Sequence, residues 1–515
     1  MSRLFGTDGV RGVANVDLTS ELALQIGRAA AMVLLKESKS AKPTVLIGKD
    51  TRASGDMLEA ALTAGLCSVG CNVLSVGIVP TPAVAYLVDK YGCEAGVMIS
   101  ASHNPCEYNG IKIFQGNGYK LDDALENEIE AIILDNAEEI PVLTGGNVGN
   151  RLYCKTAVSD YVKHVVSTTD IRFDGLSIAL DFANGSASVC AKEIFTSLGA
   201  KCLMLSDTPD GTNINDNCGS THPEELMRFV KDASLDLGLA FDGDADRMLA
   251  VDENGELVDG DKVIAICSKK MKDEGTLAKN TAVVTVMSNM GFFKFCEEND
   301  IACAKTAVGD RYVLERMLKE GYNIGGEQSG HVIFLDYATT GDGELSGVQL
   351  IEAVVKSGKK LSELAKVMKV YPQVLINVKV TPEGKQKYNN DEYIISAVQQ
   401  AEMELMGEGR VLVRVSGTEP LIRVMLEGSD LEQITTLGNK IADVFNKKFC
   451  IVDSEFVLSS AWQSNIALNL PYASARMIFS RRTSLSICCK SFSSVFLNIL
   501  KKSNINAFRI INPTC

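Results

Sequence analysis

The chain has 515 residues, 46% of them hydrophobic and 23% charged, and its formal net charge is −14 at pH 7. This length predicts about three to four globular domains of roughly 100–200 residues each. The negative charge argues against a nucleic-acid partner, which would require a basic surface. No hydrophobic run reaches the length of a membrane span, so we expect no membrane partner either.

The first hundred residues alternate between helix and strand patterns. An amphipathic helix is predicted over 19–37, because hydrophobic residues recur there at helical spacing. Short hydrophobic runs at 44–48, 72–77 and 96–100 predict buried strands, with helical patterns between them. Such alternation is typical of a parallel or mixed sheet that is covered by helices on both faces.

The same alternation begins again at 176–185 and once more near 282–287, and it gives way after about 370 to alternating strands. We therefore predict an α/β protein with three consecutive α/β mixed-sheet domains and a smaller C-terminal α+β domain. The predicted domains, in chain order, are 1–152, 153–256, 257–368 and 369–449, followed by a tail of 450–515.

The segment "ISASHNP" at 99–105 is the first candidate for chemistry. It places Ser102 and His103 just beyond the carboxyl end of a predicted strand, where open α/β sheets bind their ligands. Pro105 biases Asn104 away from a helical conformation, so the loop should hold an unusual backbone shape that suits an exposed nucleophile. A polar turn without a catalytic role is the alternative for this loop taken alone.

A second segment, "DGDADR" at 242–247, carries Asp242, Asp244 and Asp246 at alternate positions. Their carboxylates repel one another unless a cation joins them, and a loop after a strand can direct all three toward one hard cation. An EF-hand fits poorly, because Arg247 stands where that motif needs glycine and the next residues read as a strand. A solvated acidic turn would leave the hydrophobic strand before it unexplained.

Taken together, the two segments indicate phosphoryl transfer. A phosphate on Ser102 would add about −1.5 to −2 charge. Next to three aspartates, that anion needs a divalent bridge, and Mg²⁺ characteristically takes carboxylates together with phosphate oxygens. The metal would polarise the phosphorus, and Arg247 would share the negative charge.

A third segment, "GGEQSGH" at 325–331, suits a ligand that approaches the backbone closely, because glycines flank its polar residues. The carboxylate of Glu327 and the hydroxyl of Ser329 suit hydrogen bonds to sugar hydroxyls. His331 suits acid–base chemistry near neutral pH, and a structural histidine is the alternative.

A fourth segment, "RVSGTEPLIRV" at 414–424, suits an anion. Backbone N–H groups of a glycine turn rich in hydroxyls form a nest for negative charge. The flanking arginines add planar donors that match a phosphate. The residues concerned are Arg414, Ser416, Gly417, Thr418 and Arg423.

With "FGTDGVRG" at 5–12 and "TTGDG" at 339–343, these segments resemble the motifs of the α-D-phosphohexomutase superfamily over about residues 3–447. The resemblance implies four domains around a central cleft, each contributing one motif. It implies that Ser102 becomes a phosphoserine that donates its phosphate. It also implies one Mg²⁺ per chain, held by Asp242, Asp244, Asp246 and the phosphate on Ser102.

Further roles follow from the same resemblance, residue by residue. Arg11 should face the serine phosphate, and Lys112 and His331 match groups that assist proton transfer. The implied catalytic set is Ser102, Arg11, His103, Lys112, Arg247 and His331. The implied substrate-binding set is Glu327 and Ser329 for sugar hydroxyls, and Arg414, Ser416, Gly417, Thr418 and Arg423 for the phosphate that is not being transferred.

The implied reaction converts glucosamine 6-phosphate and glucosamine 1-phosphate into each other through a sugar bisphosphate, which would feed UDP-N-acetylglucosamine and cell-wall precursors. Gln328 and the segment 5–12 favour glucosamine by resemblance only. Three alternatives stay open: a mutase for glucose or mannose phosphates, a hydrolase in which water replaces the sugar, and a sugar-phosphate-binding protein without catalysis.

Partners and location are expected from similar arguments. The expected partners are sugar phosphates, a kinase or sugar bisphosphate that first phosphorylates Ser102, and a second copy in a homodimer. The first residues carry no hydrophobic leader. None of the fifteen cysteines forms a C-x-x-C pair, and buried reduced thiols are expected. We therefore expect a cytoplasmic protein.

Residues 450–515 match nothing in the resemblance and differ from the rest in being basic. A poorly ordered appended segment is expected, and a segment for a membrane surface or a partner is the alternative. We predict that deleting 451–515 leaves the implied activity intact, because every motif lies before it. Turnover of sugar phosphate by the truncated and full chains checks this, and complete loss of turnover would contradict it.

Overall fold

The computed structural model describes residues 4–449 except 7, 35, 37, 39, 41 and 417–419, and beyond them 477–480 and 484–487. Within 4–449 the strands form successive sheets along the chain, so the molecule divides into four units. Among these described residues, no helix combines the length and apolar character that crossing a bilayer would take.

The first unit is built on one mixed sheet with the strand order β1-β5-β4-β2-β3-β6. Strand β2 runs parallel to β3 and β4, whereas β5 runs antiparallel to both β4 and β1. The strands are β1 (Val10–Val13), β2 (Thr44–Lys49), β3 (Asn72–Ile78), β4 (Ala95–Ile99), β5 (Tyr108–Gln115) and β6 (Arg151–Tyr153). The helices are α1 (Ser20–Leu34), α2 (Ser54–Ser68), α3 (Thr81–Lys90) and α4 (Asp123–Leu134).

The second unit has a sheet with the order β11-β10-β9-β7-β8. Strand β7 is parallel to β8 and β9, and β10 is antiparallel to β9. The strands are β7 (Ser177–Asp181), β8 (Lys201–Leu205), β9 (Leu237–Phe241), β10 (Met248–Asp252) and β11 (Leu257–Val258). The helices are α5 (Ala157–Val166), α6 (Ala191–Ser197) and α7 (Glu224–Asp232).

The third unit has a sheet with the order β13-β12-β14-β15, in which β15 is the antiparallel strand. The strands are β12 (Thr281–Thr285), β13 (Ala302–Thr306), β14 (Ile324–Gly326) and β15 (Val332–Phe334). The helices are α8 (Gly260–Asp273), α9 (Met290–Glu298), α10 (Asp310–Glu320), α11 (Gly343–Ser357) and α12 (Leu361–Leu364).

These three sheets share one strand order. In each sheet three parallel strands lie side by side, and an antiparallel strand pairs with the one that comes last in the chain: β5 pairs with β4, β10 with β9, and β15 with β14. We call the three return connections the serine loop (100–107), the aspartate loop (242–247) and the glutamate loop (327–331). The candidate motifs of the three units therefore lie at equivalent positions, although their sequences differ.

The fourth unit is smaller and its sheet, ordered β16-β18-β17, is antiparallel throughout. The strands are β16 (Gln373–Lys379), β17 (Gly409–Val415) and β18 (Leu421–Gly428). The helices are α13 (Pro382–Lys387), α14 (Glu392–Glu404) and α15 (Leu431–Phe449). The connection between β17 and β18, residues 416–420, is called the arginine loop.

Helix starts follow from side chains that cap the first free backbone N–H groups. Thr19 Oγ1 accepts a hydrogen bond from the Leu22 N–H at 3.2 Å at the start of α1. Asp259 and Asp342 cap α8 and α11 in the same way. The central strands β4, β9, β10 and β12 are buried along their whole length, which explains their continuous hydrophobic sequences.

Two of the hydrophobic cores show which units are joined to one another. One contiguous core extends through the first three units, from Leu46 and Phe114 through Phe195 to Phe292 and Leu345. The fourth unit has a core of its own, centred on Phe445 and Ile422. The first three units should therefore behave as one body, with the fourth attached to it.

The predicted fold class is confirmed: three mixed-sheet α/β units precede a small α+β unit. The domain boundaries stay a prediction, and two of them fall at strands that pair with the preceding sheet. Strand β6 ends at 153 and pairs with β3, and β11 at 257–258 pairs with β10. Most of the tail lies outside the described residues; two strands there, β19 (Met477–Ser480) and β20 (Ser484–Ile487), pair antiparallel.

Replacing Phe445 by alanine should destabilise the fourth unit by about 3–5 kcal/mol, because it empties a fully buried aromatic site. The Phe445 ring lies 6.1 Å from that of Tyr388, so the neighbouring ring also loses a partner. Calorimetry of the full chain measures the effect. Met403→Ala, at a side chain 70% exposed in the same unit, is the control with little expected change. Equal unfolding profiles for the two variants would contradict the prediction.

Candidate active site

Ser102 lies in the serine loop with a left-handed backbone, at a φ of 52°. That conformation costs a residue with a side chain about 1–3 kcal/mol. Its Oγ donates a hydrogen bond of 2.6 Å to Asp242 Oδ2, across the junction of the first two units. Only 1% of Ser102 is exposed, so the expectation of an exposed nucleophile is wrong in this conformation, because the hydroxyl faces a carboxylate instead of solvent.

The aspartate loop joins two antiparallel strands, which excludes the helix–loop–helix of an EF-hand. Its three carboxylates are almost fully buried. One oxygen from each of Asp242, Asp244 and Asp246 lies within 4.8 Å of the other two. The loop therefore gathers three potential oxygen ligands at one point.

The electrostatics of the aspartate cluster favour a bound cation. Burial raises the pKa of Asp242 to about 8, and the neighbouring Asp246 and Asp244 add to the rise. The Oδ1 atoms of Asp244 and Asp246 are buried without a hydrogen-bond partner. Buried carboxylate oxygens normally find a partner, and a hard divalent cation prefers such oxygens. The residues present can thus hold a metal ion.

Lys112 brings positive charge from β5 to the same cluster. Its Nζ lies 2.8 Å from Asp244 Oδ2 and 3.4 Å from Asp246 Oδ2, and its side chain is 2% exposed. Burial alone would lower the pKa of Lys112, but Asp244, Asp8 and Asp246 outweigh it and raise the pKa. Lys112 is therefore an ammonium. The Thr81 hydroxyl also donates to Asp244 Oδ2, at 2.5 Å.

Lys112 belongs to a closed ring of alternating charges that links the first three units. The closest nitrogen–oxygen distances are 3.4 Å for Asp246–Lys112, 3.2 Å for Lys112–Asp8, 2.7 Å for Asp8–Lys120, 2.5 Å for Lys120–Asp310, 3.5 Å for Asp310–His331 and 3.7 Å for His331–Asp246. Burial would lower the pKa of His331, but its two acidic neighbours in the ring raise it. In order, the ring members are Asp246, Lys112, Asp8, Lys120, Asp310 and His331.

His103 lies beside the serine hydroxyl, and two arginines act on its imidazole. Arg247 Nη1 donates to His103 Nδ1 at 2.8 Å, and the same ring nitrogen is 3.4 Å from Ser102 Oγ. Burial lowers the pKa of His103 to about 4, and Arg247 and Arg11 contribute to the fall. His103 is therefore neutral at pH 7. Arg11 forms an ion pair with Asp8, which also contacts Lys112.

The glutamate loop is held by hydrogen bonds of its first two residues. Glu327 Oε1 accepts a hydrogen bond of 3.0 Å from the Gly309 N–H, and Gln328 Nε2 donates to Asp259 Oδ2 at 3.0 Å. Ser329 is exposed, whereas His331 is buried and faces the ring of charges. The loop thus joins an exposed hydroxyl to a buried imidazole within three residues.

Positive charge gathers beside the arginine loop, on the two strands that it connects. Arg414 and Arg423 are direct cross-strand partners, and like charges in that arrangement repel. Burial lowers the pKa of Arg414, and Arg423 lowers it further. Lys385 Nζ donates to the Ser416 carbonyl oxygen at 2.7 Å. An anion bound here would relieve the repulsion; Gly417 and Thr418 lie outside the described residues.

The structure adds residues that the sequence motifs did not single out. Asp8, Lys120 and Asp310 complete the ring of charges, and Thr81 contacts the aspartate loop. Lys385 joins the arginine loop. Asp8 stands inside the segment 5–12, which could have drawn attention to it. The other four carry no local pattern.

Protein-family models match most of this chain. Four models match successive ranges: Phosphoglucomutase/phosphomannomutase, alpha/beta/alpha domain I at 2–139, domain II at 159–255, domain III at 259–371, and the C-terminal domain at 375–444. The order of the matches follows the order of the four units in the fold. Together they cover most of the chain.

Individual relatives agree with the models. A protein named phosphoglucosamine mutase from Clostridium novyi (strain NT) is 55% identical over 448 residues, which are 87% of this chain and 99% of the relative. A solved phosphoglucomutase/phosphomannomutase family protein from Burkholderia thailandensis has a TM-score of 0.71 at 22% identity, covering 86% of this chain and 97% of that one.

A further solved relative contains ligands. It is Aspergillus fumigatus N-acetylphosphoglucosamine mutase in complex with GlcNAc-6P and magnesium, with a TM-score of 0.60 at 16% identity. It covers 87% of this chain and 96% of its own. At this identity the likeness concerns the fold. The high-identity relative and the four matching models show that the chain belongs to the phosphoglucomutase/phosphomannomutase family.

Proposed function

We propose that the chain is a phosphoglucosamine mutase, which converts glucosamine 6-phosphate and glucosamine 1-phosphate into each other through a phosphoserine at Ser102. The observation that carries the proposal is the 2.6 Å contact of Ser102 Oγ with the buried aspartate cluster. The 55%-identical relative of that name, matched over nearly its whole length, supports the choice of substrate.

The proposed transfer of the phosphoryl group uses residues of this chain. The bond between Ser102 Oγ and phosphorus breaks, and a new bond forms from phosphorus to the free sugar hydroxyl. The hydroxyl proton leaves to a base, for which His331 in its neutral form is the candidate, while Lys112, as an ammonium, would offset the negative charge beside Asp246. The bisphosphate then turns in the cleft, and its other phosphate returns to Ser102.

One Mg²⁺ per chain is proposed as the cofactor, held by Asp242, Asp244, Asp246 and the Ser102 phosphate. When bound, it would offset the negative charge between phosphate and carboxylates and polarise the phosphorus. The two buried Oδ1 atoms of the cluster that lack a hydrogen-bond partner support this ligand set. Arg247 and Arg11 would add positive charge beside the phosphate, and a neutral His103 would orient the serine oxygen.

Substrate binding is assigned to the two later loops. Glu327 and Ser329 would bind sugar hydroxyls. The phosphate that stays on the sugar would bind at Arg414, Ser416, Gly417, Thr418 and Arg423, where two opposed arginines call for an anion. The second assignment makes the fourth unit, which has a separate core, the element that would close over the sugar.

Location and partners complete the proposal. The cysteines among the described residues are free thiols, which suits the reducing cytoplasm. A kinase or a sugar bisphosphate must supply the first phosphate to Ser102, because a serine hydroxyl by itself is a weak nucleophile and carries nothing to donate. A homodimer stays a prediction.

Ser102→Ala should abolish interconversion of glucosamine 6-phosphate, with a loss of at least about 1,000-fold, because no other hydroxyl contacts Asp242 in the described residues. A coupled assay for glucosamine 1-phosphate measures it, with glucose and mannose 6-phosphates as alternative substrates. Ser268→Ala, at another fully buried serine, is the matched control and should keep full activity. Activity retained by Ser102→Ala would remove the phosphoserine mechanism.

Metal removal should also abolish turnover. Treatment with a chelator should stop the reaction and added Mg²⁺ should restore it, whereas Asp244→Asn should lose about 100-fold or more that Mg²⁺ does not recover. Asp252→Asn is the matched control, because that buried carboxylate accepts N–H bonds from Asn254 and Glu256, which an amide oxygen can also accept. A chelator-treated enzyme with full activity would exclude the metal from the reaction.

A further inference from the structure

The backbone of the serine loop is held by side chains from two other segments. Its nucleophile, Ser102, keeps a strained left-handed φ of 52°. We propose that Arg52 and Asn215 are positioning residues that clamp this loop in its reactive shape, an inference that rests on the proposed function. Neither residue belongs to the sequence motifs described above.

Arg52 follows β2 and lies wholly inside the protein. Its side chain is 0% exposed and forms an ion pair with Asp50, which is buried to the same extent. Its Nη2 donates to two carbonyl oxygens of the serine loop, Ser102 O at 3.1 Å and Asn104 O at 2.5 Å. A buried guanidinium carries a large desolvation cost, and here its Nη2 group donates hydrogen bonds to the loop beside the nucleophile.

Asn215 reaches the same two carbonyl oxygens from the second unit. Its Nδ2 donates to Ser102 O at 2.9 Å and to Asn104 O at 3.1 Å. Asn215 itself has a positive φ of 58° and is 8% exposed, so its amide is fixed by the fold. The serine loop therefore receives matching donors from two different units.

The remaining polar group of Ser102 is also bound. Its backbone N–H donates to Ser100 Oγ at 2.9 Å. The Ser100 hydroxyl in turn forms a hydrogen bond with the side chain of Asp50, the ion-pair partner of Arg52. Both the N–H and the carbonyl of the nucleophile are thus fixed, so the peptide units on its two sides cannot rotate freely.

Gly243 shows how closely the clamp joins the serine loop to the aspartate loop. A side chain at this glycine would meet Ser102 O at 2.6 Å and Asn215 Nδ2 at 2.8 Å. Gly243 lies between the two aspartates of the cluster that come first, Asp242 and Asp244. Asn215 therefore fixes the serine loop where the aspartate loop packs against it, which sets the approach of Ser102 Oγ to Asp242.

A clamp of this kind has a kinetic signature. Loss of either donor lets Ser102 relax toward negative φ, and Oγ moves away from the aspartate cluster while the sugar and phosphate sites stay intact. A displacement of about 1 Å at a reacting atom lowers the rate by about 100-fold. A residue that only joins the first two units would lower the stability of the protein instead, without a selective loss of kcat.

The experiment compares Asn215→Ala and Arg52→Lys with wild type in the full chain, each loaded with phosphate from glucose 1,6-bisphosphate. We expect kcat to fall by about 100-fold, with KM for glucosamine 6-phosphate changed by less than about threefold. Lysine keeps the charge next to Asp50, but its single nitrogen cannot take both the place of Nη1, which pairs with Asp50, and that of Nη2, which donates to the two carbonyls. Intact mass gives the phosphoserine content, so kcat is counted per loaded molecule.

Two controls reproduce the same chemistry elsewhere. Asn323→Ala removes another asparagine that is 8% exposed and whose amide donates to a backbone carbonyl, at Thr276 in the third unit. Arg172→Lys removes a guanidinium that bridges an aspartate two residues away and a carbonyl, Asp174 and Ser197 O, on the surface. Both controls should keep wild-type kcat.

Deuterium exchange of the peptide that spans 100–107 provides a readout that does not need turnover. Asn215→Ala should raise uptake there, and Asn323→Ala should not. Unchanged uptake, or unchanged kcat in an active background, would overturn the clamp. If wild type fails to turn over any hexose phosphate while Asn215→Ala still raises uptake, the clamp on the loop stands and the proposed function falls. If Arg52→Lys does not fold, Asn215→Ala decides alone.

Discussion

The close approach of three buried carboxylates is the constraint on which this molecule depends. Asp242, Asp244 and Asp246 cannot all be ionised in one dehydrated place unless positive charge surrounds them. The fold supplies Lys112 from the first unit and His331 from the third, and it leaves two carboxylate oxygens without a hydrogen-bond partner. A divalent cation and a phosphate would complete the balance, which is why the cluster makes physical sense as a site for phosphoryl transfer and poor sense as a structural feature.

Repetition of one sheet order explains how distant residues come to share that site. In each α/β unit the last parallel strand is followed by an antiparallel return strand, and the connection between them carries the chemistry. The serine loop and the aspartate loop pack directly against each other, while the glutamate loop reaches them through His331 and the ring of charges. Because the first three units share one core, these loops are held as a rigid set, whereas the fourth unit has a core of its own.

Local pattern could predict the motifs but not the network that supports them. The three aspartates, the serine loop and the opposed arginines are short, polar and placed after hydrophobic strands, so each draws attention by itself. Asp310 and Lys120 are single charges in ordinary surface-like surroundings, and only the packing of the third unit on the first turns them into a partly buried pair. Arg52 reads as a turn residue, yet its side chain is fully buried, and its neighbours Thr51 and Ala53 hydrogen-bond to the second unit.

The sequence by itself determined the alternation of strands and helices, the change of rhythm after about 370, and the residue types that a magnesium-dependent phosphoryl transfer needs. These features are local, because periodicity and loop composition act within a few residues. Tertiary structure alone decided that Ser102 is buried against Asp242 instead of exposed, and that its strained backbone is held from two units. Such contacts join residues more than a hundred positions apart, and their geometry depends on how whole sheets pack, which no local pattern encodes.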